Sequence, residues 1–275
     1  SDLTDAEKPY TEISSFNSNG FTLQSYSGWV NGTGASYASW AFRKAPDFFD
    51  IVTWDGNGVD PRTIDHNLGS IPGMIIVKRT DSADDWIVYH KDVTTGYLKL
   101  NENSVIQTRT DYIYQNPTNT TFSVGGFGPI NATGGSYVAY LFAENEPNIK
   151  CGTYTGAYGG GVAVGFETQW LMIKAIDSSE DWKILDNERA GTSGGLVTLN
   201  ETLAANTLNS QANIGSQGVR ITSTSFITPD LAVAGINSPG TDYIYVAIKK
   251  DAEITEAVTP AGLFQSSNTS VPSIT

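Results

Sequence analysis

Three stretches of the sequence close in the same way. In WVNGTGASYASWAFRKA, PINATGGSYVAYLFAEN and GINSPGTDYIYVAIKKD, an Asn (Asn31, Asn131, Asn237) stands six residues before a Tyr (Tyr37, Tyr137, Tyr243), and the Tyr opens a run in which every second residue is bulky and apolar. The Asn positions are spaced by 100 and then 106 residues. A period of that length marks tandem copies of a whole module, since solenoid repeats run to only about 20–50 residues. Upstream, IIVKRTDSADDWIVYH aligns without a gap on LMIKAIDSSEDWKILD, setting Lys78 over Lys174, Asp81 over Asp177, Asp85 over Asp181 and Trp86 over Trp182. LKLNEN then matches VTLNET, and TWDGNG matches TYTGAYG with Thr53 over Thr153 and Gly56 over Gly156. The repetition predicts four segments: an N-terminal half-module over 1–47 (the end of a repeat), module one over 48–147, module two over 148–252, and an extended C-terminal arm or linker over 253–275, where Ala, Thr, Ser and Pro show no alternation.

Within a module the apolar period is two. GMIIVKRT and DDWIVYH read as strands joined by the turn DSAD, TGYLKLNE and NTTFSVGG as two more, and GSYVAYLFAE as the last. In YVAYLFA, Tyr137, Ala139, Leu141 and Ala143 face one way and Val138, Tyr140 and Phe142 the other, so both faces are apolar, as in a strand between two packed layers. The expected fold is all-β, two tandem antiparallel β-sandwiches. Trp86 and Trp182, with Tyr37, Tyr137 and Tyr243, are the expected repeat anchors. The half-module cannot close a core alone; its strands are expected to be the end of an upstream module or to be completed by another part of the chain or by a neighbouring subunit.

Composition narrows the function. The net charge of −13 and isoelectric point near 4.4 argue against nucleic acid, which needs a basic face. No run of 18 apolar residues and no basic, apolar-cored leader is present, so neither membrane insertion nor a secretion signal is expected, and the absence of an initiator Met reads as processing or as part of something longer. The single Cys151 cannot form an internal disulfide and reads as a small core residue. Five Asn-X-Ser/Thr sequons, at Asn31, Asn119, Asn131, Asn200 and Asn268, read as accidents of an Asn- and Thr-rich chain.

Candidate chemistry is sparse. Asp84 and Asp85, matched by Glu180 and Asp181, are adjacent acids, but neighbours on a strand point to opposite sides whereas a glycosidase pair must flank one bond, so turn solvation is expected. DGNGVD offers Asp55, Asn57 and Asp60 at near-alternate positions without the bidentate Glu of a calcium loop, and reads as a Gly-rich hairpin turn. His66 belongs to a DHNLG turn in which Asn67 or Gly69 accepts a positive φ, and His90 ends a strand facing solvent or an interface; no nucleophile elbow accompanies either. Two His and one Cys make a zinc site unexpected, and no cofactor is implied. The binding candidates are the aromatics near turns, Trp54, Tyr97, Tyr112 and Tyr114, set against their reading as core or subunit-interface residues.

The combination of TIDHNLGSIPGMIIVKRTDSADDWIVYH, LKLNEN, INATGGSYVAYLFAE and DYIYVAIKK resembles the tandem β-domain proteins of marine bacteriophage tail and structural modules, over residues 13–252. Module two departs from that pattern: it has GGGVAVGFETQW in place of the His-Asn-Leu-Gly turn and Leu185-Asp186 in place of Tyr89-His90. The resemblance implies a non-enzymatic virion protein, a tail fibre or appendage made in the host cytoplasm. It would be homo-oligomeric with trimeric fibre symmetry, in contact with other virion proteins and a host surface glycan or outer-membrane receptor. A capsid decoration protein, clamping through the half-module and through arm residues such as Leu263, Phe264 and Val271, and a polysaccharide depolymerase are the alternative expectations.

Overall fold

In the computed structural model, the structure describes residues 3–8, 12–17, 20–24, 30–114, 116–193, 195–215, 218–250 and 264–267. The N-terminal segment contains β1 (Ile13–Asn17), β2 (Gly20–Leu23) and β3 (Ser39–Phe42). Module one contains β4 (Phe49–Asp55), β5 (Arg62–Asp65), β6 (Pro72–Arg79), β7 (Ile87–His90), β8 (Gly96–Lys99), β9 (Gln107–Thr108), β10 (Thr121–Val124), β11 (Ser136–Ala143) and the short β12 (Asn145–Glu146). Module two contains β13 (Ile149–Thr155), β14 (Gly161–Ala163), β15 (Thr168–Ala175), β16 (Lys183–Asp186), β17 (Gly191–Ser193), β18 (Leu196–Leu199), β19 (Glu201–Ala204), β20 (Ala212–Asn213), β21 (Val219–Ile221), β22 (Ser225–Ile227) and β23 (Asp242–Lys249). The last strand, β24 (Phe264–Ser267), comes from the arm.

The fold is all-β and antiparallel, as the alternation predicts. Module one forms a six-stranded sheet in the order β4-β11-β6-β7-β8-β9 and a small second layer, β10-β5. Module two repeats the plan with a seven-stranded sheet, β12-β13-β23-β15-β16-β19-β20, over a five-stranded one, β14-β22-β21-β18-β17. The last strand of each repeat is central, β11 between β4 and β6, and β23 between β13 and β15. That position explains its apolar character: it has no edge, and in β23 both faces are buried while in β11 Val138 and Tyr140 stay half-buried on one face. The layers meet through one aromatic set per repeat. Trp54 stacks on Tyr137 at 5.5 Å and meets Phe122 edge-on at 5.9 Å. Tyr154 stacks on Tyr243 at 5.0 Å and meets Phe226 edge-on at 5.7 Å.

One of the two cores is shared between the modules. On β23, Tyr243, Tyr245 and Ala247 join the cluster inside module two, while Ile244, Val246 and Ile248 point the other way and join the cluster of module one. Trp170, Met172, Trp182 and Ile184 do the same from β15 and the β16 hairpin. One sheet of module two is thus a layer of two sandwiches, and module one is its second partner.

Two readings need correction. The DGNGVD stretch is not a hairpin turn: it carries the chain from β4 in the large sheet to β5 in the small one, with Gly58 at φ +69°. The match of LKLNEN with VTLNET is a coincidence of short strings. The structural partner of Asn101 is Asn206, because the main-chain N–H of Trp86 donates to Asn101 Oδ1 at 2.8 Å and that of Trp182 to Asn206 Oδ1 at 2.9 Å. VTL instead forms β18 in the small sheet, part of an insertion that enlarges module two.

In the N-terminal segment, β3 pairs with β24 from Phe264↔Phe42 to Ser267↔Ser39, so an arm strand of the same chain lies beside it. Leu263 and Val271 fall outside the described residues. β1 and β2 form a hairpin that leaves Ile13, Phe16 and Phe21 exposed.

Candidate functional site

The Asn and Tyr of the threefold motif are a clasp. Tyr37 accepts the main-chain N–H of Gly32 at 2.8 Å, Tyr137 that of Ala132 at 2.8 Å, and Tyr243 that of Ser238 at 3.0 Å, so each hydroxyl ties down the residue just after the Asn. Tyr137 also donates to Gly128 O at 2.6 Å. Asn131 and Asn237 are fully buried and knot the neighbouring loops. Asn131 donates to Val59 O and accepts from the N–H of Asn57 and from Arg62, while Asn237 donates to Pro229 O and Leu231 O and accepts from the N–H of Val233. A sequon on a buried, fully engaged Asn131 offers no acceptor surface in the folded chain. The loops so pinned carry apolar groups outward: Val59 is 54% exposed, Tyr158 56% and Leu231 61%.

Of the binding candidates, Trp54, Tyr97 and Tyr112 are buried, which corrects their reading as surface groups. Trp54 belongs to the aromatic set between the layers and donates to Ile130 O at 3.1 Å. Tyr97 and Tyr112 pack on each other at 5.6 Å. Tyr114 is half-buried, and its hydroxyl donates to Asp60 Oδ1 at 2.5 Å. The exposed groups on the loops, Tyr158 among them, escaped sequence reasoning because nothing local separates them from core aromatics.

The acids are spent on structure. Asp85 accepts from Asn101 at 2.9 Å and pairs with Lys99 at 2.8 Å; burial pushes its carboxyl up, and these partners hold it below its ordinary value. Asp181 accepts from Asn206 at 2.8 Å in the same way. Asp81 and Asp177 each cap the N–H that opens the central strand, that of Ser136 and of Asp242. His66 Nδ1 accepts from Leu68 N at 3.2 Å inside its turn, where Gly69 takes φ +78°. His90 is wholly buried against module two, 3.3 Å from Tyr245 O, and burial depresses it to about 4; its reading as an interface residue holds and that as a solvent-facing one does not. Cys151 lies in the core with its thiol pushed up by burial. Among the described residues, no three His, Cys, Asp or Glu lie together as a metal site, and no helix is long and apolar enough to cross a membrane.

The most developed site is the joint between repeats. Trp182 Nε1 donates to Lys99 O at 2.9 Å, and Lys174 Nζ to Asn103 O at 3.3 Å and Ala175 O at 2.6 Å. The N–H of Ile106 closes the contact on Ile176 O at 3.1 Å. Module two thereby grips the loop that follows β8 of module one. The equivalent groups of module one grip residues 3–8: Trp86 Nε1 donates to Leu3 O at 3.1 Å, Lys78 Nζ to Thr4 O at 3.0 Å and Arg79 O at 2.8 Å, and Glu7 N–H to Thr80 O at 2.7 Å. Each Lys thus bonds the carbonyl of its own successor and one from the segment before it. Burial lowers both ammonium groups, Lys174 to about 8, while nearby acids oppose the shift. Residues 1–252, the span of this repeated joint, match the model of a domain of unknown function, DUF7483.

The chain belongs to the DUF7483 family. The match spans the half-module and both modules, so within DUF7483 the unit is the jointed set of repeats and not one sandwich. No curated protein and no solved structure matches the chain.

Proposed function

We propose that this DUF7483 chain is a non-enzymatic structural component of a bacteriophage virion, a tail fibre or tail appendage whose loops engage the host surface. The observation that carries the reading is the pair of buried Asn hubs, which pin loops presenting Val59, Tyr158 and Leu231 to solvent on a rigid body. Apolar groups held on pre-ordered loops suit recognition, since little entropy is lost on contact. Asp81, Asp85, Asp177 and Asp181 support the same reading, because they are committed to strand caps, ion pairs and hydrogen bonds from Asn amides. Oligomerisation would multiply weak contacts to a host glycan or outer-membrane receptor.

Antibody-gold labelling of intact particles, with antibody raised against the purified protein, tests it. Label on the tail or its fibres is the expected result, with the purified protein then blocking adsorption and Tyr158→Ala and Leu231→Ala weakening the block. Label over the head would replace this reading with a capsid decoration protein. Turnover of host polysaccharide, abolished by Asp85→Asn or Asp181→Asn in a folded protein, would replace it with a depolymerase.

A further inference from the structure

The same face is covered in one repeat and half open in the other. In module two, Trp182, Ile244 and Val246 are buried beneath module one; their counterparts in module one, Trp86, Val138 and Tyr140, are only half-buried. Over these residues lies a cleft of about 900 Å³, walled on its far side by Asp5, Ala6, Glu7 and Lys8. Module one thus carries an acceptor built like that of module two, with a short segment where module two has the loop and body of a whole repeat.

The complementary end is also present. The loop that module one inserts into the joint, residues 99–106, has its counterpart in module two at residues 204–211, since Asn206 fixes Trp182 as Asn101 fixes Trp86 and β20 pairs with β19 as β9 pairs with β8. Module one's loop is half-buried, with Leu100 buried and Asn103 exposed, whereas residues 208–211 are all exposed and Leu208 is 85% exposed.

We propose that this acceptor seats a second copy of the chain, whose residues 204–211 take the place of residues 3–8. The exchange conserves hydrogen bonds: Trp86 Nε1, Lys78 Nζ and Thr80 O, which now serve Leu3, Thr4 and Glu7, are re-used on the incoming loop as Trp182, Lys174 and Ile176 use residues 99–106. The gain is apolar, the covering of Val138, Tyr140 and Leu208. The contact joins two different surfaces, so it propagates copies end to end instead of closing a twofold pair. It stands on the joint alone and does not depend on the virion reading.

Sedimentation velocity of the full chain over a concentration series tests it, with Leu208→Asp spoiling only the loop end and Val138→Lys only the acceptor. The wild type is expected to grow with concentration from the 29.5 kDa monomer to dimers and longer species, while each variant stays monomeric or associates at least tenfold more weakly. An equimolar mixture of the two variants holds one intact loop and one intact acceptor, and is expected to form dimers and nothing larger. A wild type that stays monomeric, variants that assemble like the wild type, or a mixture that stays monomeric would each overturn the proposal.

Discussion

Tyr137 and Tyr243 occupy one place in two repeats but are wired differently, and that difference can be measured. Tyr137 accepts from Ala132 N–H and donates to Gly128 O, so Tyr137→Phe removes both bonds and leaves these half-buried groups only their 3.3 Å bond to each other. A loss of about 0.5–1.5 kcal/mol is expected in denaturant unfolding, the range for an intramolecular hydrogen bond whose partners are not left unpaired. His90 gives a pH signature. Its folded pKa, about 4, lies below the ordinary 6.5, so above pH 6.5 folded and unfolded chains bind the same protons there. As the pH falls from 6.5 towards 4 only the unfolded state gains a proton, and stability drops by up to about 3 kcal/mol. The groups facing His90 are Asp92, Lys91 and Tyr245 O, and Asp92 softens the effect while burial sets it. A His90→Gln variant should show a flatter stability curve over that window, and an unchanged slope would contradict the assignment; burial lowers His66 as well, which leaves a residual slope of the same sign.

At the scale of the element, the joint predicts an asymmetry between two identical residues. Trp182 is 1% exposed and holds a whole repeat, whereas Trp86 is half-buried and holds a six-residue segment. Trp182→Ala should cost about 3–5 kcal/mol, as for other buried aromatics truncated to Ala. Trp86→Ala should cost less than half of that, and equal losses would contradict the joint as described. This is also where sequence reasoning succeeds and stops. The hairpin from Lys78 to His90 was legible because strand, turn and strand are contiguous and the second copy keeps their length. Asn206 was not legible as the partner of Asn101, because β17 and β18 are inserted before it and LVTLNE offered a nearer, false match. The burial of Trp54, Tyr97 and Tyr112 was hidden for a different reason: proximity to a turn in sequence does not tell which layer a side chain meets.

At the scale of the molecule, the two-faced apolar pattern of SYVAYLFAE and DYIYVAIKK foretold a strand between two layers, but not that the second layer is the preceding repeat. Sharing a layer joins the repeats through one apolar cluster, unlike independent beads on linkers. The shared cluster predicts that the two modules unfold together. The most direct test is differential scanning calorimetry of the wild type beside Trp182→Ala. A shared core predicts a single wild-type transition whose calorimetric and van't Hoff enthalpies agree, splitting into two in the variant as the sheet of module two loses its second partner. Two separate transitions in the wild type would contradict the account, since each module would then be folding on a core of its own.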